Sequence, residues 1–310
     1  MSADYLGMTL STLCALLWAT AVVLFKKSGE KVSPLSLNLV KNSVSVVLYT
    51  ITLPLLGIAF NPDITLHEWI LIAVSGVLGI GLGDAFFFAA LNRLGASLTA
   101  IVDCLYSPFM ILFSIVFLGE PFTIALTVGT AMVLGGLFLA TNRRGARKLE
   151  KDRVKSKSER RKLLAGFAYG TIGIVAMAGS VVMVKPLLSK MSVLWVIWWR
   201  MLWGFLALVI WLGAHPKRVE LARRLTKITS WRFVLSGGIV GGYFATIAWL
   251  YGMSLTNVSI ASVLNQLSTL FIILLAALFL KEKMNRERII AAFLGFGGAC
   301  VIFFRHLFPF

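Results

Sequence analysis

The sequence is short of charge. Only 14% of its 310 residues are Asp, Glu, Lys or Arg, against about 25% in a soluble globular chain. Acids are the scarcer sign, with 13 Asp and Glu set against 30 Lys and Arg. A chain this poor in charge and 58% hydrophobic lacks the polar surface a soluble domain needs. Cysteine and histidine are scarce too, at three residues each. Cys14, Cys104 and Cys300 all fall in apolar runs, where a thiol behaves as a small hydrophobe, so no disulfide is expected. His67, His215 and His306 have no ligand spacing. No metal and no cofactor is therefore expected, and no nucleophile–base pair marks an enzyme.

What is abundant is the long apolar run. Ten are read as membrane-spanning helices, at roughly 6–25, 34–56, 69–91, 97–117, 124–141, 164–187, 192–213, 231–253, 258–280 and 287–304. Each can cross a hydrocarbon core about 30 Å thick. The first run has no basic stretch before it and is followed by KKSGEK, so it reads as a retained span rather than a cleaved signal. The fold class is thus an all-α, polytopic membrane protein. Residues 142–163 form a basic linker, and Asn142 to Lys162 alone holds eleven Lys or Arg.

The basic residues orient the chain. Loops after odd-numbered spans hold 25 Lys or Arg, whereas the other loops and both tails hold Lys185, Lys190 and Arg305. By the positive-inside rule the odd-numbered loops are cytoplasmic and both termini lie on the other side. The net charge of +17 then serves orientation and contact with anionic membrane lipid. No nucleic-acid partner is expected, because no basic patch interleaves with a globular domain.

The chain also repeats itself. Trp69 to Arg144 aligns with Trp231 onward at a constant offset of 162, pairing Gly76 with Gly238, Gly79 with Gly241 and Glu120 with Glu282. Upstream the offset is 159, pairing Gly7 with Gly166, Lys26 with Lys185 and Lys41 with Arg200. Each copy has five spans, residues 1–141 and 164–310, so the second copy enters the membrane from the opposite side. Inverted repeats related by an axis in the membrane plane are a transporter architecture, with the substrate bound near the midplane where the copies meet.

Here the chain resembles a known family, the EamA-like branch of the drug/metabolite transporter superfamily. The resemblance rests on ALLWATAVVLFKK (15–27), FLGEPFT (117–123), FLKEKMN (279–285), the glycine pairs of spans 5 and 10, and a basic residue early in the second span of each copy. It implies ten helices in two five-helix repeats and transport of small metabolites across a bacterial-type inner membrane. One feature departs from the family: GIAFNPDITLHEW (57–69), after span 2, has no Lys or Arg. The family's frequent cytoplasmic placement of the termini is accordingly not adopted.

Four ionisable residues fall inside spans: Lys41, Asp84, Asp103 and Arg200. Such residues cost about 2.5–3.5 kcal/mol on insertion scales and mark pathways or pairs. Counting 1.5 Å per residue from the nearer span end puts Lys41, Asp84 and Asp103 all ~9–11 Å below the cytoplasmic boundary. Lys41 is expected to pair with one aspartate. The other is then left over, and two carboxylates near one cation do not titrate alike. Asp84 and Asp103 are therefore candidates for proton coupling. Arg200 meets no acid within its own repeat, and its planar fork suits a carboxylate or phosphate oxyanion.

Spans 4 and 9 carry matching polar stripes, Asp103, Tyr106 and Ser107 against Asn265, Ser268 and Thr269, with Gln266 beside the second. These either join helices or line a central cavity. Pro108 should bend span 4 just past its stripe. The glycines of spans 3 and 8 read as a packing stripe. Trp18 and Tyr243, away from their span ends, complete the expected substrate-binding set: Trp18, Lys41, Asp84, Asp103, Tyr106, Arg200, Tyr243, Asn265 and Gln266. The expected activity is export of small metabolites such as amino acids by alternating access, coupled to protons or facilitative. A flippase or carrier of a phosphorylated or lipid-linked substrate, and a non-transport membrane protein, remain alternatives. The glycines of spans 5 and 10 either pack the two repeats together or form the face of a homodimer.

Overall fold

In a computed structural model the described residues are 3–27, 34–60, 64–94, 96–141, 157–214, 230–280 and 286–305. Almost all of them are helical, in ten rods. α1 is Ala3–Lys27, α2 Pro34–Leu55, α5 Ile124–Thr141, α6 Lys157–Leu188, α7 Val193–Ala214 and α10 Arg286–Phe303. Four rods are not uniform. α3 runs through Leu66–Gly76, a π-helical segment Val77–Gly83, and Asp84–Leu94; α8 runs through Trp231–Gly237, π-helical Gly238–Phe244, and Ala245–Leu255. α4 is split into Ala96–Asp103 and Tyr106–Leu118, and α9 into Val258–Asn265 and Leu267–Leu280.

Six rods contain stretches long and apolar enough to cross a membrane: Ala3–Phe25, Leu66–Leu91, Arg160–Leu188, Val193–Ala214, Trp231–Leu255 and Val258–Leu275. α2 is 22 residues long but less apolar, because Asn38, Lys41, Asn42 and Ser45 face inward instead of toward lipid. α6 starts at Lys157, inside the stretch read as linker. Residues 142–156, the remainder of that stretch, lie outside the described residues, as do His215, His306 and residues 281–285 of the FLKEKMN motif.

The repeats exchange partners. α1 packs on α8 and α9 of the second repeat, and α6 packs in the same way on α3 and α4 of the first. α2 lies against α8, α7 against α3, and α2 against α7. Equivalent rods run antiparallel. Trp198, early in α7, donates from its indole to the Thr50 hydroxyl, late in α2, at 2.8 Å. Gln266 of α9 donates to the Asp103 carbonyl of α4 at 3.0 Å, and Ser107 donates to the Ser262 carbonyl at 3.1 Å. The two five-helix repeats therefore run in opposite directions. Asp4 and Arg305 form an ion pair at 2.7 Å, so both ends of the described chain lie on one face.

Glycine makes this exchange possible. Lipid tails are as apolar as leucine, so helices associate through close packing rather than through expulsion of water. A Cβ at Gly76 would stand 2.5 Å from the Arg200 carbonyl oxygen, and one at Gly241 2.7 Å from the Ala21 methyl. One at Gly79 would collide with the Ser180 hydroxyl, and one at Gly242 with the Ser45 hydroxyl. Spans 5 and 10 meet likewise: Gly136 lies against the Ala291 carbonyl and Gly298 against the Gly129 carbonyl. These glycines join the repeats within one chain.

The breaks in α4 and α9 fall at equivalent places, Cys104–Leu105 and Gln266. Pro108 has no N–H to reach the carbonyl four residues earlier. The interruption thus comes at residue 104, inside the polar stripe and not past it. At the termini face the chain ends are capped across elements. Gly119 takes φ 66°, ending α4, and Glu120 turns onto the start of α9. Its carboxylate accepts from the Val258 N–H at 2.6 Å, the Ser259 N–H at 3.0 Å and the Ser259 hydroxyl at 2.6 Å. Lys185 donates to the Thr256 carbonyl at 2.8 Å and to that of Met253, closing the end of α8. Beside them Trp195 and Trp199 both donate to the Phe60 carbonyl, at 2.9 and 3.3 Å.

Glu120→Ala removes three charge-assisted bonds from a helix N-terminus. It is expected to cost about 2 kcal/mol, read as a lower unfolding midpoint in detergent, with Glu120→Gln falling between it and the parent.

Candidate functional site

Each repeat presents one basic residue from its second rod to the glycine segment of the other. Lys41 lies against Gly238 and Gly242 of α8, and Arg200 lies against Gly76 and Gly79 of α3. The small residues bring the two backbones together, and each long side chain is then held inside the protein.

The two sites differ in what answers the charge. Lys41 Nζ lies 3.8 Å from Asp84 Oδ2, with the two side chains 16% and 12% exposed. It also lies 5.4 Å from the centre of the Trp18 ring, within range of a cation–π attraction. Asn38 faces the Asp84 carboxylate closely enough to stabilise its charge, yet among the described residues neither polar atom of its carboxamide has a partner in full hydrogen-bonding geometry, and the same is true of Asn42. Trp18, Lys41 and Asp84, three of the residues anticipated from sequence, thus come together. The two asparagines beside them were not anticipated. Their signal was there as a polar stripe at 38, 42, 45 and 49 on one face of α2, in a segment where the ionisable Lys41 draws the eye.

Arg200 is 6% exposed. Its Nη2 donates to the Ser180 hydroxyl at 3.3 Å, and among the described residues its Nε has no partner. Among the described residues no carboxylate lies within ion-pair distance of it. Tyr106 is within electrostatic reach of both Arg200 and Asp103, and its ring lies 6.5 Å from that of Trp249. Asp103 makes no ion pair among the described residues, so it does not join the Lys41–Asp84 pair in one cluster.

The other anticipated residues divide by what they touch. Gln266 ties α9 to the broken end of α4 through the Asp103 carbonyl. Asn265 keeps a buried carbonyl oxygen with no partner among the described residues. Tyr243 is engaged in packing: its hydroxyl lies 2.7 Å from that of Thr52, and its ring lies 4.7 Å from that of Tyr49. A separate pocket of ≈ 330 Å³ opens at the termini face between Ile58, Ile64, Glu68, Lys190 and Trp195. It contains none of the anticipated residues.

The model of the EamA-like transporter family matches residues 5–142 and 164–304. The chain belongs to that family, and is by membership a membrane transporter of small solutes. A comparison with curated proteins returns no match. Among solved structures, the chain is similar to a protein known by crystal structure, with a TM-score of 0.75 and 18% identity over 96% of this chain and 97% of the other. At that identity the likeness concerns the fold alone.

Removing one partner of a buried ion pair strands the other charge. Lys41→Ala is expected to destabilise the protein by about 3 kcal/mol, read as a lower unfolding midpoint in detergent. A Lys41→Met, Asp84→Leu double variant should recover most of that loss.

Proposed function

We propose that this protein carries small zwitterionic organic solutes, amino acids foremost, across a bacterial-type inner membrane. All ten rods cross the bilayer, and a cavity between the inverted repeats is exposed to each side in turn. The observation that carries this reading is the Lys41–Asp84 pair beneath Trp18. At 3.8 Å the pair is long for a charge-assisted bond. A zwitterion supplies the matching charges, its carboxylate to Lys41 and its ammonium to Asp84, while the indole covers an apolar part of the solute.

The direction proposed is export. The basic loops put the Lys41 end of α2 toward the cytoplasm and the termini on the other side. The capping by Glu120 and the tryptophan contacts tie the repeats together at the termini face, which supports loading from the basic face. Proton coupling is assigned to Asp103 with Asp84: the former has no ion-pair partner among the described residues and so is free to exchange a proton as access alternates.

A second reading has one observation in its favour. Among the described residues Arg200 is buried with a neutral hydroxyl as its hydrogen-bond partner and an unused Nε, which suits a phosphorylated or lipid-linked anion. Purified protein in liposomes, offered amino acids and sugar phosphates with and without a pH gradient, separates the two. Uptake of amino acids that responds to the gradient, and loses that response in Asp103→Asn, is the expected outcome. Movement of sugar phosphates alone, abolished in Arg200→Gln, would establish the second reading instead.

A further inference from the structure

The repeat exposes an asymmetry on α2. At the offset of 159 its positions 38 and 42 correspond to 197 and 201 on α7. The correspondence is structural as well, because Lys41 and Arg200 occupy matching places against the glycine segments of α8 and α3. On α7 the two positions hold Ile197 and Met201, 0% and 7% exposed and part of the main apolar cluster. On α2 they hold Asn38 and Asn42, 3% and 0% exposed. Among the described residues no partner meets either carboxamide in full hydrogen-bonding geometry, at oxygen or at nitrogen, although the Asn38 carboxamide faces the Asp84 carboxylate.

Packing does not require asparagine here, since apolar side chains fill the same place in a second copy of the same five rods. Burying an unpartnered donor or acceptor is also costly. Two such groups, one turn apart on one helix face, the first of them facing a buried ion pair, are what a recognition site looks like before its ligand arrives. Among the described residues the other rods offer no equivalent pair of carboxamides: the remaining unpartnered buried groups are Thr130, Arg200, Trp203 and Asn265, all on other rods.

We propose that Asn38 and Asn42 form a carboxamide subsite that reads a hydrogen-bonding side chain on the solute, selecting amide- or hydroxyl-bearing zwitterions over purely aliphatic ones. The proposal rests on the transport reading above and goes beyond it by naming the chemistry of the cargo. Each carboxamide offers two N–H donors and a carbonyl acceptor. An amide or hydroxyl on the solute satisfies both senses, whereas an aliphatic side chain leaves them empty. A site built on hydrogen bonds rejects an analogue lacking the group far more strongly than an apolar pocket discriminates by size.

The test transplants the second repeat into the first. Asn38→Ile and Asn42→Met, singly and together, are compared with the parent in liposomes for uptake of L-glutamine and of L-norleucine, and in detergent for thermal unfolding. The parent is expected to prefer glutamine by at least about tenfold. The double variant should unfold at the same or a higher temperature, keep norleucine uptake and lose the preference. A folded double variant with the parent's preference would overturn the assignment and leave the transport reading standing, as would a parent that takes both solutes equally. A double variant that unfolds well below the parent would also overturn it, since the asparagines would then serve the fold. A parent that moves no zwitterion would remove the transport reading and the subsite with it.

Discussion

Close approach between the two repeats underlies the fold. In a bilayer no water is expelled when helices meet, so contact depth decides association. The glycines of α3 and α8 bring the backbone of one repeat against the second rod of the other, and those of α5 and α10 close a further contact between repeats. Both glycine segments are π-helical at matching positions. Such turns alter the hydrogen-bond ladder locally and recur at functional sites. In α8 the altered segment is answered from α2: the Tyr49 hydroxyl donates to the Tyr243 carbonyl at 2.9 Å.

One backbone plan thus yields two unlike interiors. In both, a basic side chain is held against a glycine segment. In the first, Lys41 has an acid, an aromatic face and two asparagines around it. In the second, Arg200 has Ser180 and, farther off, Tyr106, among apolar neighbours such as Ile197 and Met201. A duplicated fold needs the scaffold twice. Chemistry present in only one copy is not explained by the scaffold.

The rods and the repeat were legible in the sequence because both are carried by spacing. Apolar runs of membrane-spanning length mark the rods, and constant offsets tie Gly76 to Gly238 and Lys41 to Arg200. The pairing of Lys41 with an aspartate was legible as well, since a buried lysine at that depth needs an anion. Other features depend on crossings between distant rods. Pro108 announced a bend just past the stripe of α4, whereas the interruption comes at residue 104, at the carbonyl that proline cannot bond. Nothing in the sequence of α9 announced the equivalent break at Gln266. Glu120 stood out in FLGEPFT, whereas its partners Val258 and Ser259 are set by how α4 meets α9. Asn38 and Asn42 went unread because an asparagine in an apolar helix carries no mark of whether a partner will meet it.

Equivalent rods of the two repeats run in opposite directions. Lys27, at the end of α1, and Ser189, just past the end of α6, follow equivalent rods of the two repeats, and both are exposed. The most direct measurement places single cysteines at these positions in a protein lacking Cys14, Cys104 and Cys300. Each is then labelled with a membrane-impermeant maleimide in sealed vesicles of known orientation. The account predicts labelling of the two positions from opposite sides of the membrane. Labelling of both from the same side would contradict it.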